Sequence, residues 1–179
     1  MKITKWLFYS QAERHIASDI LTSIPRIICG LLLTLTFGSD KFGLPWSRGG
    51  DLSLFEVASW FPKDVAEFGF PFTISPWFFA WMGAASEAIG GLFLALGLGT
   101  RFWSFMIGST MLVAIFFQKW EQFLEQGPWA ILPAMGFLWV SIYSFSYGSG
   151  KIGIDYHIWR RLNKKTDTIC PPSLLSELE

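Results

Sequence analysis

The sequence predicts an all-α integral membrane protein, a four-helix bundle with an extracytoplasmic cap between its first two spanning helices. The 179-residue chain is 51% hydrophobic and 16% charged, whereas an average soluble domain carries about 25% charged residues. Its 18 Phe and 10 Trp residues need an apolar environment or the headgroup layer, where Trp is enriched. This composition excludes an ordinary soluble domain, and it is too apolar for a disordered chain.

Four apolar stretches approach the length of about 20 residues that a membrane-spanning helix requires. We expect a single membrane domain over residues 1–179, with spanning helices at 20–42, 77–98, 102–118 and 129–147. The remaining parts are an interfacial segment over 1–18, the cap over 43–76 and a cytoplasmic tail over 148–179. Within the cap, the spacing of Leu54, Ala58 and Phe61 predicts a helix over residues 52–60.

The charged residues indicate an orientation and exclude one class of partner. Of the 14 Lys and Arg residues, ten lie on the side of both termini and four on the side of the cap. The positive-inside rule then predicts that both termini are cytoplasmic. The 14 acidic residues balance the basic ones, so the chain lacks the basic surplus typical of proteins that bind nucleic acid.

Glu87 is the residue on which the functional prediction depends. It precedes Gly97 by ten positions, which corresponds to about 15 Å of helix at 1.5 Å per residue. An ionised carboxylate facing lipid at that depth costs several kcal/mol, so we expect Glu87 to face the bundle. Small residues on the same helix face allow a neighbouring helix to approach closely. They are Gly83, Ala84, Gly90 and Gly91.

A buried Glu87 can be neutralised in three ways, and the sequence leaves all three open. Arg26, about six residues into the first span, has a guanidinium that suits a carboxylate, although it is shallow enough to snorkel to the surface. Lys41, at the other end of the same span, offers a second cation. The third possibility is a protonated Glu87, because burial favours the neutral carboxyl.

We predict that Glu87 contacts Arg26 or Lys41, directly or through water. These three residues are the candidate catalytic residues. Their charges either fix the helix register or serve as a proton relay or substrate anchor, and the sequence favours neither role.

The remaining polar residues predict no metal site and no built-in redox centre. His15 and His157 lie outside the predicted spans, and neither has the clustered partners that a metal site requires. Cys29 and Cys170 do not form a CxxC pair, so the chain offers no dithiol of its own. No cofactor-binding motif is evident.

Four parts of the chain resemble signatures of the DoxX family. They are Arg26-Ile-Ile-Cys-Gly-Leu-Leu with Gly38-Ser-Asp-Lys41, Phe68-Gly-Phe-Pro71, Glu87-Ala-Ile-Gly-Gly91 through Gly97-Leu-Gly-Thr-Arg101, and Gly148-Ser-Gly-Lys-Ile-Gly-Ile-Asp155. The resemblance implies a multi-pass protein of the bacterial inner membrane. Family members are linked with sulfur and thiol redox chemistry, and they include a subunit of a thiosulfate:quinone oxidoreductase.

We therefore predict a subunit of a quinone-linked redox system that acts on sulfur or thiol compounds. A quinone is the cofactor that this role allows, and a membrane or periplasmic protein is the expected partner. The alternative is a non-catalytic scaffold or assembly subunit that docks a partner protein through residues 38–76. A small-molecule or lipid carrier ranks last, because four short spans with few polar faces leave no large aqueous pathway. The sequence leaves open whether the chain has catalytic activity.

Overall fold

The computed structural model describes residues 16–48 and 52–169, and these residues form helices and no β-strand. Most of the predicted interfacial segment 1–18, and the end of the predicted tail, lie outside the described residues. The long first helix, α1, has an α-helical part Ile16–Leu32, a π-helical part Leu33–Gly38 and a short α-helical end Ser39–Lys41. The others are α2 Phe61–Glu67, α3 Pro76–Leu96, α4 Thr100–Val113 with its π-helical extension Ala114–Gln118, α5 Trp120–Gln126, α6 Leu132–Tyr147 and α7 Ile154–Ile169.

Three of these helices are long and apolar enough to cross a membrane: Asp19–Lys41, Pro76–Leu96 and Thr100–Gln118. The segment Trp120–Ala130 and α6 meet at an angle of 80°. If they are counted together as one bent span, they add a fourth crossing. The predicted all-α membrane fold is confirmed. Within the predicted fourth span at 129–147, the straight helix α6 begins at Leu132. Pro128 and Pro133 lack the backbone N–H that would continue a helix through this region.

A tight turn joins α3 to α4 and makes them antiparallel neighbours. Gly97 and Gly99 both adopt left-handed backbone conformations, with φ of 68° and 60°. Residues with a Cβ rarely adopt this conformation, so glycine is required where the chain reverses. We call this end of the bundle the turn end.

Helices α1 and α3 also pack in an antiparallel arrangement, at a distance that only small residues permit. A Cβ added to Gly38 would lie 2.5 Å from the Ala88 Cα, and one added to Gly30 would lie 2.5 Å from the Gly91 carbonyl oxygen. The Thr34 hydroxyl donates a hydrogen bond of 2.9 Å to the Ala88 carbonyl across this contact. Because Gly38 is level with Ala88, α1 ends near the middle of α3.

The cap fills the space beside the half of α3 that α1 does not cover. Phe42, Val57 and Phe61 are buried in one apolar cluster with Ala80 and Ala84 of α3. The predicted helix over 52–60 is wrong, since this stretch forms turns and an isolated bridge between Phe42 and Val57. The helix begins instead at Phe61 and carries Pro62 in its first turn, where the missing N–H of proline has no cost.

Polar contacts at the turn end join α1, the α3–α4 turn and the start of α7. Asp155 accepts hydrogen bonds from the backbone N–H groups of Gly99, at 2.7 Å, and Thr100, at 2.8 Å. Lys151 forms a salt bridge of 3.2 Å with the buried Asp19 of α1. Buried charged groups need partners, because an unpaired buried charge is strongly destabilising. These contacts supply the partners and join three separate segments at one end of the molecule.

Candidate functional site

A cavity of about 370 Å³ lies between the cap, α3 and α4, and its walls are largely apolar. The cap contributes Phe61, Val65, Phe68, Pro71 and Phe72, α3 contributes Phe79, Met82, Gly83 and Glu87, and α4 with its extension contributes Phe105, Met106, Ser109, Thr110, Val113, Ala114 and Gln118. Lys41, the last residue of α1, completes the wall. This size and this mixture of apolar walls with a few polar groups are typical of small-molecule sites.

A buried ion pair supplies the charge in this cavity. The Lys41 Nζ lies 2.8 Å from the Glu87 Oε2, and the two side chains are 15% and 5% exposed. The predicted contact between Glu87 and Lys41 is therefore present. The Lys41 ammonium also lies 4.9 Å from the centroid of the Phe61 ring, close enough for a cation–π interaction. The catalytic role of Lys41 and Glu87 stays a prediction.

The pair depends on where α1 ends. The close packing at Gly38 brings the end of α1 level with the middle of α3, so Lys41 reaches Glu87 from the same depth. The π-helical part Leu33–Gly38 directly precedes Ser39–Lys41. A second π-helical stretch, Ala114–Gln118, forms part of the opposite wall. Short π-helical insertions occur frequently at functional sites.

Arg26, the alternative partner predicted for Glu87, does not share this site. Its guanidinium donates hydrogen bonds to the carbonyls of Leu94, Ala95 and Ser149, and the residue is only 2% exposed. Leu94 follows Glu87 by seven residues, which is about 10 Å along the helix. The carbonyls at a helix C-terminus lack intrahelical partners and attract cations. Arg26 therefore stabilises the end of α3, and it neither snorkels nor pairs with Glu87.

Two hydroxyl groups next to Glu87 add a polar contact that the sequence analysis missed. The Ser86 and Thr110 hydroxyl oxygens lie 2.7 Å apart and join α3 to α4 beside the cavity. Gln118 is a further polar residue in the wall. Ser, Thr and Gln are common on membrane helices, and only the packing of α3 against α4 distinguishes these positions from others of the same type.

Comparison with known families gives two overlapping matches. The family model described as DoxX matches residues 21–120, which is more than half of the chain. The model described as "TQO small subunit DoxD" matches residues 72–175. Both matches include α3 and α4. No curated protein and no solved structure matches the chain significantly.

Proposed function

Because this chain belongs to the DoxX family, as its sequence predicts, we propose that it is the quinone-binding subunit of a membrane redox system that oxidises sulfur or thiol compounds. The second match, to the small subunit described as DoxD, relates the chain to quinone oxidoreductase subunits. We place the protein in the bacterial inner membrane, with both termini in the cytoplasm.

The observation that carries this proposal is the Lys41–Glu87 pair in a largely apolar cavity. A quinone ring is flat and apolar, with a carbonyl acceptor on each side. The cavity offers apolar and aromatic walls such as Phe61 and Phe72 for the faces of a ring. An ammonium has three N–H donors, and the contact with Glu87 leaves Lys41 others for a carbonyl. The residues present therefore fit a quinone.

Each residue of the pair has a separate task. When bound, a quinone accepts two electrons and two protons to become a quinol. Glu87, the carboxylate of the ion pair with Lys41, would accept a proton from the aqueous phase as negative charge develops on the ring and pass it to a ring oxygen, once for each of the quinol's two protons. Lys41 donates a hydrogen bond that orients the ring and strengthens as negative charge develops there. A ring seated in the cavity would exclude water from the pair and strengthen both effects.

A partner subunit supplies the electrons in this proposal. Cys29 and Cys170 are not spaced as a dithiol, so oxidation of the sulfur donor belongs to another polypeptide. Two thiosulfate ions, or two thiols, would each lose one electron there as an S–S bond forms. The resulting two electrons reduce one quinone.

The test measures binding and turnover separately. A short-chain quinone is titrated against the purified protein in nanodiscs, and donor-dependent quinone reduction is measured in membranes that hold the whole complex. We expect Lys41→Met to weaken binding about tenfold, which is about 1.4 kcal/mol. Glu87→Gln should keep binding within about threefold but lower turnover at least about a hundredfold. Glu121→Gln, a control at an exposed position on α5, should change neither.

Two results would overturn the proposal. One is a wild-type protein that binds no quinone. The other is full turnover in Glu87→Gln, which would mean that the ion pair serves only to fix the helix register. Gel filtration of each variant in detergent ensures that a loss of activity is not a loss of folding.

A second candidate function is a scaffold that docks a partner through residues 38–76. The specific observation is the exposed apolar surface of the cap, where Leu54, Phe55 and Trp60 are 62%, 51% and 44% exposed. Exposed apolar patches are typical of interaction surfaces. Replacing these three residues with Ser should release a co-purifying protein partner if the cap docks it, and should leave quinone binding intact. Retention of the partner would exclude docking through this patch.

A further inference from the structure

A second apolar space lies against α4, next to the cavity. It is a groove of about 250 Å³ between α4 and α6, and its surface is almost entirely apolar. Gly108 and Leu112 form its α4 wall, and Leu138, Ile142 and Phe145 form its α6 wall. Ile142 is 53% exposed and Phe145 is 37% exposed, so the groove faces the lipid rather than the core.

The groove and the cavity described above share two residues. Phe105 and Ser109 line both spaces. They belong to an exposed row along α4 with a spacing of three or four residues, which follows one face of a helix. The row consists of Phe102, Phe105, Ser109, Leu112 and Phe116. Ser109 has the only small side chain in this row. The ridge that separates the cavity from the groove is therefore lowest at Ser109, and we call this position the low point.

The hydroxyl groups along this path are turned away from a ligand. Ser109 donates a hydrogen bond of 2.9 Å to the Phe105 carbonyl, and Ser141 donates one of 2.8 Å to the Phe137 carbonyl. The Ser104 hydroxyl is buried below the groove surface. The surface presented to an occupant is therefore made of carbon, which suits a hydrocarbon chain and would leave a polar ligand without partners.

We propose that the groove holds the isoprenoid tail of a long-chain quinone whose ring occupies the cavity, and that the tail crosses α4 at Ser109. This inference rests on the proposed function and adds the tail as a recognised part of the ligand. A tail in lipid gains little from hydrophobic burial. Its selection depends on shape: a ring seated against Lys41 and Glu87 needs an exit for its tail, and the low point at Ser109 provides one.

Two substitutions test the path from opposite sides. Ser109→Phe blocks the crossing, and Ile142→Trp fills the groove from α6 without entering the cavity. Ser146→Phe is the matched control, because Ser146 is also exposed and bonds the carbonyl four residues earlier, yet lines neither space. Binding to each protein in nanodiscs is measured with two probes that share one benzoquinone ring. One probe carries a single isoprene unit, and the other carries a long polyisoprenoid tail.

We expect Ile142→Trp to weaken binding of the long-tailed probe at least tenfold and of the short-tailed probe less than threefold, with no change in Ser146→Phe. Because Ser109 also lines the cavity, Ser109→Phe should weaken binding of both probes, and of the long-tailed probe more strongly. A long-tailed probe with a photoreactive group at its end should label peptides of α4 and α6 in the unaltered protein, a readout that does not depend on any variant folding. Equal effects on the two probes, or labelling confined to other helices, would overturn the tail path while leaving the proposed function standing. Failure of the short-tailed probe to bind the unaltered protein would instead overturn the proposed function itself.

Discussion

At the scale of single residues, the chain handles its buried charges in two different ways. Lys41 and Glu87 neutralise each other inside a cavity, where a ligand can compete for their hydrogen bonds. Arg26 is satisfied by backbone carbonyls and has an electrostatic interaction with Asp155. The two cations that the sequence offers as partners of Glu87 therefore have different surroundings, and the catalytic role of each stays a prediction.

The Lys41–Glu87 pair makes a prediction about stability. Lys41→Met leaves the Glu87 carboxylate buried without a cation, and removing one partner of a buried pair costs about 3–5 kcal/mol. The double variant Lys41→Met/Glu87→Leu removes both charges and should recover most of that loss. The free energy of unfolding in mixed micelles, measured by denaturant titration, checks both. If the double variant is no more stable than the single one, the loss does not come from an unpaired charge.

Asp155 predicts a second effect at residue scale. Each of its carboxylate oxygens accepts one backbone N–H at the start of α4, and a negative charge there also interacts favourably with the helix dipole. Asp155→Asn keeps the shape but loses the charge and one acceptor, so we expect a loss of about 1.5–3 kcal/mol. Glu121→Gln removes an exposed carboxylate from the first turn of α5, and its effect should stay within about 0.5 kcal/mol. Equal losses in the two variants would contradict the assigned role of Asp155.

At the scale of helices, α1 and α3 pack so closely that a Cβ at the contact would overlap the facing backbone. Without a hydrophobic drive between helices in lipid, association depends on close packing. Here Gly30, Gly38 and Gly91 remove the side chains that would keep the two backbones apart. This contact also sets the depth of Lys41, so the packing of two helices determines the geometry of the site.

Gly38→Ala should therefore weaken both the fold and the site. The new Cβ would overlap Ala88 backbone atoms at 2.5 and 2.7 Å, and overpacking of this kind costs about 1–3 kcal/mol. Because α1 must shift, quinone binding at Lys41 should weaken too. In the control Gly136→Ala, the added Cβ meets nothing within 4 Å, and the better helix former should gain about 0.5–1 kcal/mol. Thermal unfolding of the two variants in detergent gives the comparison, and a neutral Gly38→Ala would show that α1 and α3 are less closely packed.

The sequence predicts the apolar spans of the bundle but not the position of the cap helix. Hydropathy located the apolar stretches because a run of about 20 apolar residues is typical of a membrane-spanning helix and rare in soluble domains. The cap helix was misplaced because Leu54, Ala58 and Phe61 have helical spacing while the chain forms turns there. The burial of Ala58 and Phe61 comes from tertiary packing, which periodicity cannot detect. The π-helical parts of α1 and α4 have no sequence signature, and without them the walls formed by Ala114 and Gln118 could not be anticipated.

At the scale of the whole molecule, contacts at the turn end constrain how often the chain crosses the membrane. Asp19 near the start of α1 meets Lys151, and the Asp155 N–H donates to the Gly97 carbonyl in the α3–α4 turn at 2.9 Å. The residues that follow α6 therefore return to the same end as the start of α1. A chain that returns to its starting side crosses the membrane an even number of times. Only three of the described helices qualify as spans when the bent pair is left out. We therefore predict that residues 120–147 supply a fourth crossing, bend included.

This topology predicts that the cap and α7 lie on opposite sides of the membrane. Single cysteines are introduced at two exposed positions, Lys63→Cys in α2 and His157→Cys in α7, in a chain whose own Cys29 and Cys170 are replaced by Ser. A membrane-impermeant maleimide should label Lys63→Cys in intact spheroplasts and His157→Cys only in inverted vesicles, because the side with more Lys and Arg stays in the cytoplasm. Labelling of both positions from one side would mean that α6 does not cross. The reverse pattern would keep four crossings but invert the protein, which would move the cavity and its ion pair to the cytoplasmic half of the membrane.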